Sequence, residues 1–366
     1  MIELTREQVV AYRVAAQGLP REASSPDKLA VLDLGLQDTS GSARLSLDAR
    51  LARPAAVPAE LALAWTVRGA PYLHRRRDLD RLGAALWPLS DADAANRLLA
   101  AAPLRKAGIG GLEAFDLALT GLRKIVTAPM GKGAASTALT RATPDGMHRY
   151  CRACQATHVY EMMLRFPTLA AGIELEPDSS PPVLVPRTGA RQPAEVDVAA
   201  LQDLVRTYLS LLGPATQTEV ADYLGARRAD LVEVWPDDLI EVSVDGRTGW
   251  LPSGAVASAR RRRKPPRLTR LLGAFDPYLQ ARDRDLIVPD RAVHKTLWPV
   301  LGRPGVLFVD GEVLGAWRPK SSKGRLQLAV EPFAPLPPAV RRDVEAEAGR
   351  VGAARDADDV EVRWVD

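Results

Sequence analysis

Apolar residues in the first stretch of the chain return at a helical period. Val9, Tyr12 and Ala16 share one face of a helix predicted over 5–17, which Thr5 can cap and which Gly18 and Pro20 bring to an end. An apolar segment over 28–36 runs into the polar turn Gln37-Asp38-Thr39-Ser40-Gly41, and a helical pattern resumes over 42–51, predicting a helix, a turn and another helix. The short apolar run 61–68 leads into Arg68-Gly69-Ala70-Pro71 and reads as a strand entering a turn. Helical patterns then cover 112–124 and 156–165, the latter ahead of Pro167, with small residues over 134–139 between them. Prolines at 177, 181, 182, 186 and 193 mark 176–194 as an extended linker.

The clearest local pattern follows that linker. An amphipathic helix over 197–212 has Asp197 as its cap, and a turn at Gly213-Pro214-Ala215-Thr216 leads to a short helix over 218–224 and a third over 227–235. Apolar runs 239–244 and 247–251 are joined by Asp245-Gly246, the residues a tight hairpin turn favours. Helices followed by a hairpin in this order predict a winged helix. Its third helix can enter the major groove of DNA and its hairpin can reach phosphates or the minor groove, while the same module elsewhere serves protein interaction or architecture. The last third is β-rich: 306–309, Asp310-Gly311 and 313–318 form a hairpin, 326–331 adds a strand, and 338–348 is a helix that Gly349 would end. The fold class expected is α+β.

With 366 residues, 46% of them apolar, the chain can bury more than one core, and its longest apolar runs fall far short of the roughly 20 residues a membrane helix needs. The mixed-charge N-terminus shows no secretory signal, and two cysteines, Cys151 and Cys154, are too few for a disulfide framework, so a cytoplasmic protein is expected. The net charge of +4 is modest, but arginines gather at 75–77, 227–228 and 260–264, where they could neutralise phosphates or simply form solvated faces. Glycines at 108–111 and 131–133 lack the spacing of a phosphate loop, and no nucleophile elbow, triad or spaced carboxylate pair is present. His148, Cys151, Cys154 and His158 are zinc-type residues. Four ligands packed into a segment read as partly helical would strain a tetrahedral site, so neither a metal nor a cofactor is expected.

Four motifs then carry a resemblance. Leu36-Gln37-Asp38, Trp65-Thr66-Val67-Arg68-Gly69-Ala70, Leu271-Leu272-Gly273-Ala274-Phe275-Asp276-Pro277-Tyr278 and Val309-Asp310-Gly311-Glu312-Val313-Leu314-Gly315-Ala316-Trp317-Arg318 closely resemble, in order and over nearly the whole chain, the winged helix DNA-binding domain family of the AlkZ type. That resemblance implies a C-shaped monomer of tandem winged-helix domains with a small C-terminal β-barrel-like domain, holding double-stranded DNA and working at the nucleoid. It implies winged-helix domains at 1–88 and 196–258, a second winged-helix or helical domain at 89–175, a linker at 176–195 and a β-rich domain at 259–366. Characterised members are monofunctional DNA glycosylases of base excision repair that remove bulky N-alkylated purines or unhook interstrand crosslinks, some protecting antibiotic producers from their own genotoxins. The family's catalytic residues are a glutamine, one intervening residue, and a second glutamine or an aspartate. Gln37 matches the first position, Thr39 stands at the second, and Asp38 lies between them. Two readings follow: a glycosylase in which Gln37 acts with Thr39 or Asp38, or a non-catalytic regulatory or lesion-sensing binder. DNA contacts are expected from Arg68, His74 and Arg75 near the active site and from Arg227, Arg228 and Arg247 in the winged helix.

Overall fold

In a computed structural model of the chain, which describes every residue except Ser40, Arg263, Lys323 and Asp366, two compact units are present, each drawing on separated stretches of sequence. The first comprises Met1–Pro58, Thr207–Thr216 and Asp238–Asp366, and the second Ala59–Arg206 and Gln217–Asp237. One residue of the expected 37–41 turn, Ser40, and one of the 260–264 basic run, Arg263, lie outside the described residues.

In the first unit the opening helix, Arg6–Ala16, forms where its period predicts. The Thr5 hydroxyl accepts from the Gln8 N–H while the Gln8 side chain accepts from the Thr5 N–H, a reciprocal cap that satisfies two donors the helix start would orphan. The 28–36 segment does not form a helix. Ala30–Asp33 is a single 3-10 turn, Gly35 is left-handed at φ 80°, and Leu36–Gln37 is extended, so the glycine ends the turn and aims the polar residues beyond it. The helix Ser42–Asp48 follows.

The hairpin Leu239–Val244 and Arg247–Pro252 turns through Asp245 (φ 50°) and Gly246 (φ 81°), and Ile2–Leu4 joins it as a parallel third strand. The C-terminal region is a five-stranded sheet in the order Thr269–Leu272, Gly305–Val309, Glu312–Ser322, Arg325–Pro332, Asp359–Trp364, antiparallel except for its last pair. A bulge between Leu307 and Phe308 adds local twist to a sheet that curls into a half-barrel. The helix Pro338–Ala354 covers it through Val344, Ala348 and Val351, in one core with Leu307, Trp317, Leu328 and Leu45 of the Ser42–Asp48 helix. This helix runs past Gly349, where a side chain would meet open space; the glycine merely lacks a Cβ there.

The second unit is built on an antiparallel sheet in the order Pro71–Arg75, Leu61–Trp65, Ile173–Leu175, Val183–Pro186, Met130–Gly131. The proline-rich segment expected as a linker therefore contributes the Val183–Pro186 strand. Helices Gly111–Ile125 and Lys132–Ala142 pack with Trp65, Trp87, Phe115 and Phe166 in this unit's core. The helix predicted over 156–165 is half strand: Ala156–Val159 pairs with His148–Cys151, and only Glu161–Arg165 is helical. The β-branched Thr157 and Val159 favour that pairing. Helices Val198–Leu212, Gln217–Leu224 and Arg228–Glu233 form close to their predicted bounds, with Asp197 Oδ1 accepting from the Ala200 N–H at 2.9 Å. Gln217–Leu224 and Arg228–Glu233 belong to the second unit, and the hairpin that follows them in sequence belongs to the first. Among the described residues no helix is long and apolar enough to cross a membrane.

Candidate functional site

Leu36–Gln37 is extended and the chain bends at Thr39, a path that brings the Gln37 and Thr39 side chains together while Asp38 turns elsewhere. Gln37 is half-buried; its Nε2 lies 3.4 Å from Thr39 Oγ1, and Thr39 is exposed. Asp38 turns towards the following helix, where Oδ1 accepts from the Ala43 backbone N–H at 3.0 Å and so satisfies a donor in its first turn. Ser42 ties the loop together: its hydroxyl donates to the Gln37 carbonyl at 2.7 Å and accepts from the Thr39 N–H at 2.8 Å.

One partner of Gln37 comes from far along the chain. Gln280 Nε2 donates to Gln37 Oε1 at 3.0 Å and also lies 3.3 Å from the Phe275 carbonyl. Gln280 closes the 3-10 turn Pro277–Gln280, which Asp276 caps by accepting from the Tyr278 N–H at 2.9 Å. Asp276 is itself fixed by Arg50 through two 2.7 Å contacts, with both side chains fully buried. Arg50 in turn donates to the carbonyls of Gln17 and Ser46, each at 2.9 Å. The Phe275-Asp276-Pro277-Tyr278 motif therefore has a physical role: a buried ion pair anchors a turn whose last side chain orients the Gln37 amide. Burial pushes the Tyr278 hydroxyl well above its ordinary range, so it remains a neutral phenol beside this turn. Gln280 escapes a sequence reading because 243 residues separate it from Gln37; the motif just before it was the available signal.

The expected DNA contacts divide by exposure. Arg227 and Arg228 are exposed at the start of the Arg228–Glu233 helix, and the Arg227 backbone N–H is held by Asp93 Oδ1 at 2.6 Å. Arg247, in the hairpin of the first unit, keeps a third of its side chain exposed and lies 3.8 Å from Asp283. Arg68, in the left-handed region at φ 55°, donates to the Tyr223 carbonyl and stacks 5.3 Å from the Tyr223 ring centroid, which makes it a packing residue of the second unit. His74 and Arg75 are buried. They are only 1% and 7% exposed; His74 Nε2 lies 3.1 Å from Thr66 Oγ1, and Arg75 lies 3.7 Å from Asp78. A phosphate needs an accessible cation, which these positions do not offer. In the same region Arg76 pairs with Glu174. Of the other basic run, Arg260, Arg261, Arg262 and Lys264 are exposed.

One group of metal-type side chains is present among the described residues, at Cys151, Cys154 and His158 on the His148–Cys151 and Ala156–Val159 hairpin of the second unit. His148 stands apart from it, its Nε2 3.0 Å from Thr143 Oγ1.

A family model described as DNA glycosylase AlkZ-like matches residues 30–354. No curated protein sequence matches the chain. Among solved structures the Streptomyces sahachiroi DNA glycosylase AlkZ superposes with a TM-score of 0.75, covering 100% of both chains at 20% sequence identity. That similarity extends the likeness in fold over the whole chain.

Proposed function

The chain belongs to the DNA glycosylase AlkZ-like family, and from that premise we propose that it hydrolyses the N-glycosidic bond of N7-alkylated and bulkier N-alkylated purines in double-stranded DNA, with Gln37 and Thr39 holding the attacking water. The observation that carries this reading is the Gln37 amide itself. Gln280 fixes its oxygen, and its nitrogen faces the exposed Thr39 hydroxyl.

An N7-alkylated purine is already cationic and leaves without a proton donor, so the protein has two tasks. It must position a water against the sugar carbon, and it must tolerate the positive charge that develops on the ring. A neutral amide and a hydroxyl two residues apart can hold a water by hydrogen bonds without removing its proton in the ground state. Asp38, directed into the helix cap, acts on the loop's geometry in this reading, and its charge reaches the sugar only through space.

The finer fold reading, tandem winged helices with DNA in a cradle, belongs to the same proposal. It is supported by Arg227 and Arg228, exposed at the start of the Arg228–Glu233 helix. Arg247, Arg260, Arg261, Arg262 and Lys264 are further phosphate contacts in this reading. Crosslink unhooking and self-protection against a genotoxin are the extensions to examine once simple excision is measured.

A non-catalytic DNA-binding role is the second reading. It is favoured by one observation: the family's second amide or carboxylate is replaced by Thr39, while the nearby carboxylate of Asp38 serves the cap. Excision of N7-alkylguanine from a labelled duplex, compared between the wild type and Gln37→Ala at matched DNA affinity, separates the two. Wild-type excision lost in the variant supports the enzyme. Salt-dependent binding with no wild-type excision of small or bulky adducts supports the binder.

A further inference from the structure

We propose that Cys151, Cys154 and His158 bind one zinc ion at the tip of the His148–Cys151 and Ala156–Val159 hairpin, with solvent in the fourth coordination position. Residues 148–159 form a hairpin rather than the partly helical chain expected there, so the three ligands need not follow a helical period.

Cys151 ends its strand, Cys154 lies within the tight turn over 152–155 and Gln155 is left-handed at φ 50°, so the two-residue spacing keeps both cysteines at the turn end of the hairpin. The ligating atoms of the three residues all lie within 4.8 Å of one another, and a tetrahedral zinc with ordinary Zn–S and Zn–N bonds would hold them roughly 3.5–3.8 Å apart. Contracting about 1 Å around an ion is within reach of side-chain rotation at an exposed turn.

The surroundings are those of a metal ligand set. His158 Nδ1 lies 2.7 Å from the Val159 carbonyl, which assigns the proton to Nδ1 and leaves Nε2 as the lone-pair donor for the thiols. Glu161 is engaged by Lys132 and by Arg165, at 2.5 and 2.6 Å, and so is not the fourth ligand.

Two thiolates and an imidazole select zinc over the hard cations, which prefer oxygen.

The test is zinc content of the full-length chain, purified under reducing conditions with no chelator and measured by mass spectrometry after gel filtration, together with visible spectra after cobalt substitution. One zinc per chain is expected, with a cobalt spectrum showing thiolate charge transfer and tetrahedral ligand-field bands. Cys151→Ser, Cys154→Ser and His158→Ala should each weaken zinc binding by more than the roughly 10–100-fold that loss of an outer-shell partner costs, with the circular dichroism of the chain unchanged. His148→Ala should retain the ion. Zinc no tighter in the reduced wild type than in Cys151→Ser, or lost in a folded His148→Ala, would overturn the assignment. So would a Cys151–Cys154 disulfide whose reduced form still takes up no zinc.

Discussion

At the scale of single residues, Gln37 and Gln280 form a hydrogen-bonded pair in which, under the proposed mechanism, Gln37 holds the water and Gln280 holds Gln37 in place. Gln280 is a positioning residue, so Gln280→Met, which keeps its length but removes both donors, should lower kcat for excision by roughly 10–100-fold, the cost of a misaligned reacting group. DNA affinity and thermal stability should stay near wild type; a loss of binding equal to the loss of rate would mean that Gln280 only supports the fold. Asp38 differs in kind. If it served as the general base, excision would fall on acidification through the ordinary carboxylate range near about 4, because protonation removes the base. With Gln37 and Thr39 as the water-holding pair nothing titrates in the site. The rate of excision of an N7-alkylguanine should then show no acid limb as the pH falls through about 4, and Asp38→Asn should retain most of it. An acid limb that disappears in Asp38→Asn would return the carboxylate to the chemistry.

Among the elements, the two hairpin turns show what a motif predicts and what it leaves open. Asp245-Gly246 and Asp310-Gly311 read alike, and both place Asp and Gly at positive φ, as this turn type demands. Their surroundings differ. A Cβ on Gly246 meets nothing within 4 Å, whereas one on Gly311 would meet Pro265 Cγ at 2.6 Å and Val10 Cγ1 at 2.9 Å. Gly246→Ala should therefore cost only the backbone strain of about 1–2 kcal/mol, and Gly311→Ala clearly more, measured as the shift in urea midpoint. Equal shifts would mean that packing at Gly311 relaxes freely. The same contrast explains what was legible in the sequence. Local chemistry announced itself: the Thr5 and Asp197 caps, the paired-φ turns and the Leu239–Val244 hairpin needed only neighbouring residues. The failures came where a tertiary partner decides. Residues 156–159 carry a pattern open to helix or strand until His148–Cys151 pairs with them, and Val183–Pro186 looked like linker until a sheet gave it neighbours. In the candidate site the Gln37 motif was legible, and the burial of His74 and Arg75 was not, because an arginine run reads the same inside or out.

For the whole chain, continuity in sequence is a poor guide to continuity in the fold. The first unit needs Met1–Pro58 and Asp238–Asp366 together, joined by buried pairs such as Arg50 with Asp276 and Arg13 with Asp283. Gln37 thus depends on residues more than two hundred positions away for its orientation. Charge is distributed by the same logic, and only cations left at the surface can exchange counterions with DNA. Each phosphate contact contributes about 0.9 to the slope of log Kobs against log salt, so Arg227→Gln and Arg228→Gln should each reduce that slope by about 0.9, measured by fluorescence anisotropy on an undamaged duplex. His74→Ala, at a position 1% exposed, should leave the slope unchanged whatever it does to stability. If both arginine variants match wild type, Arg227 and Arg228 make no phosphate contact, and the contacts must be sought around Arg247, Arg260, Arg261 and Arg262 instead.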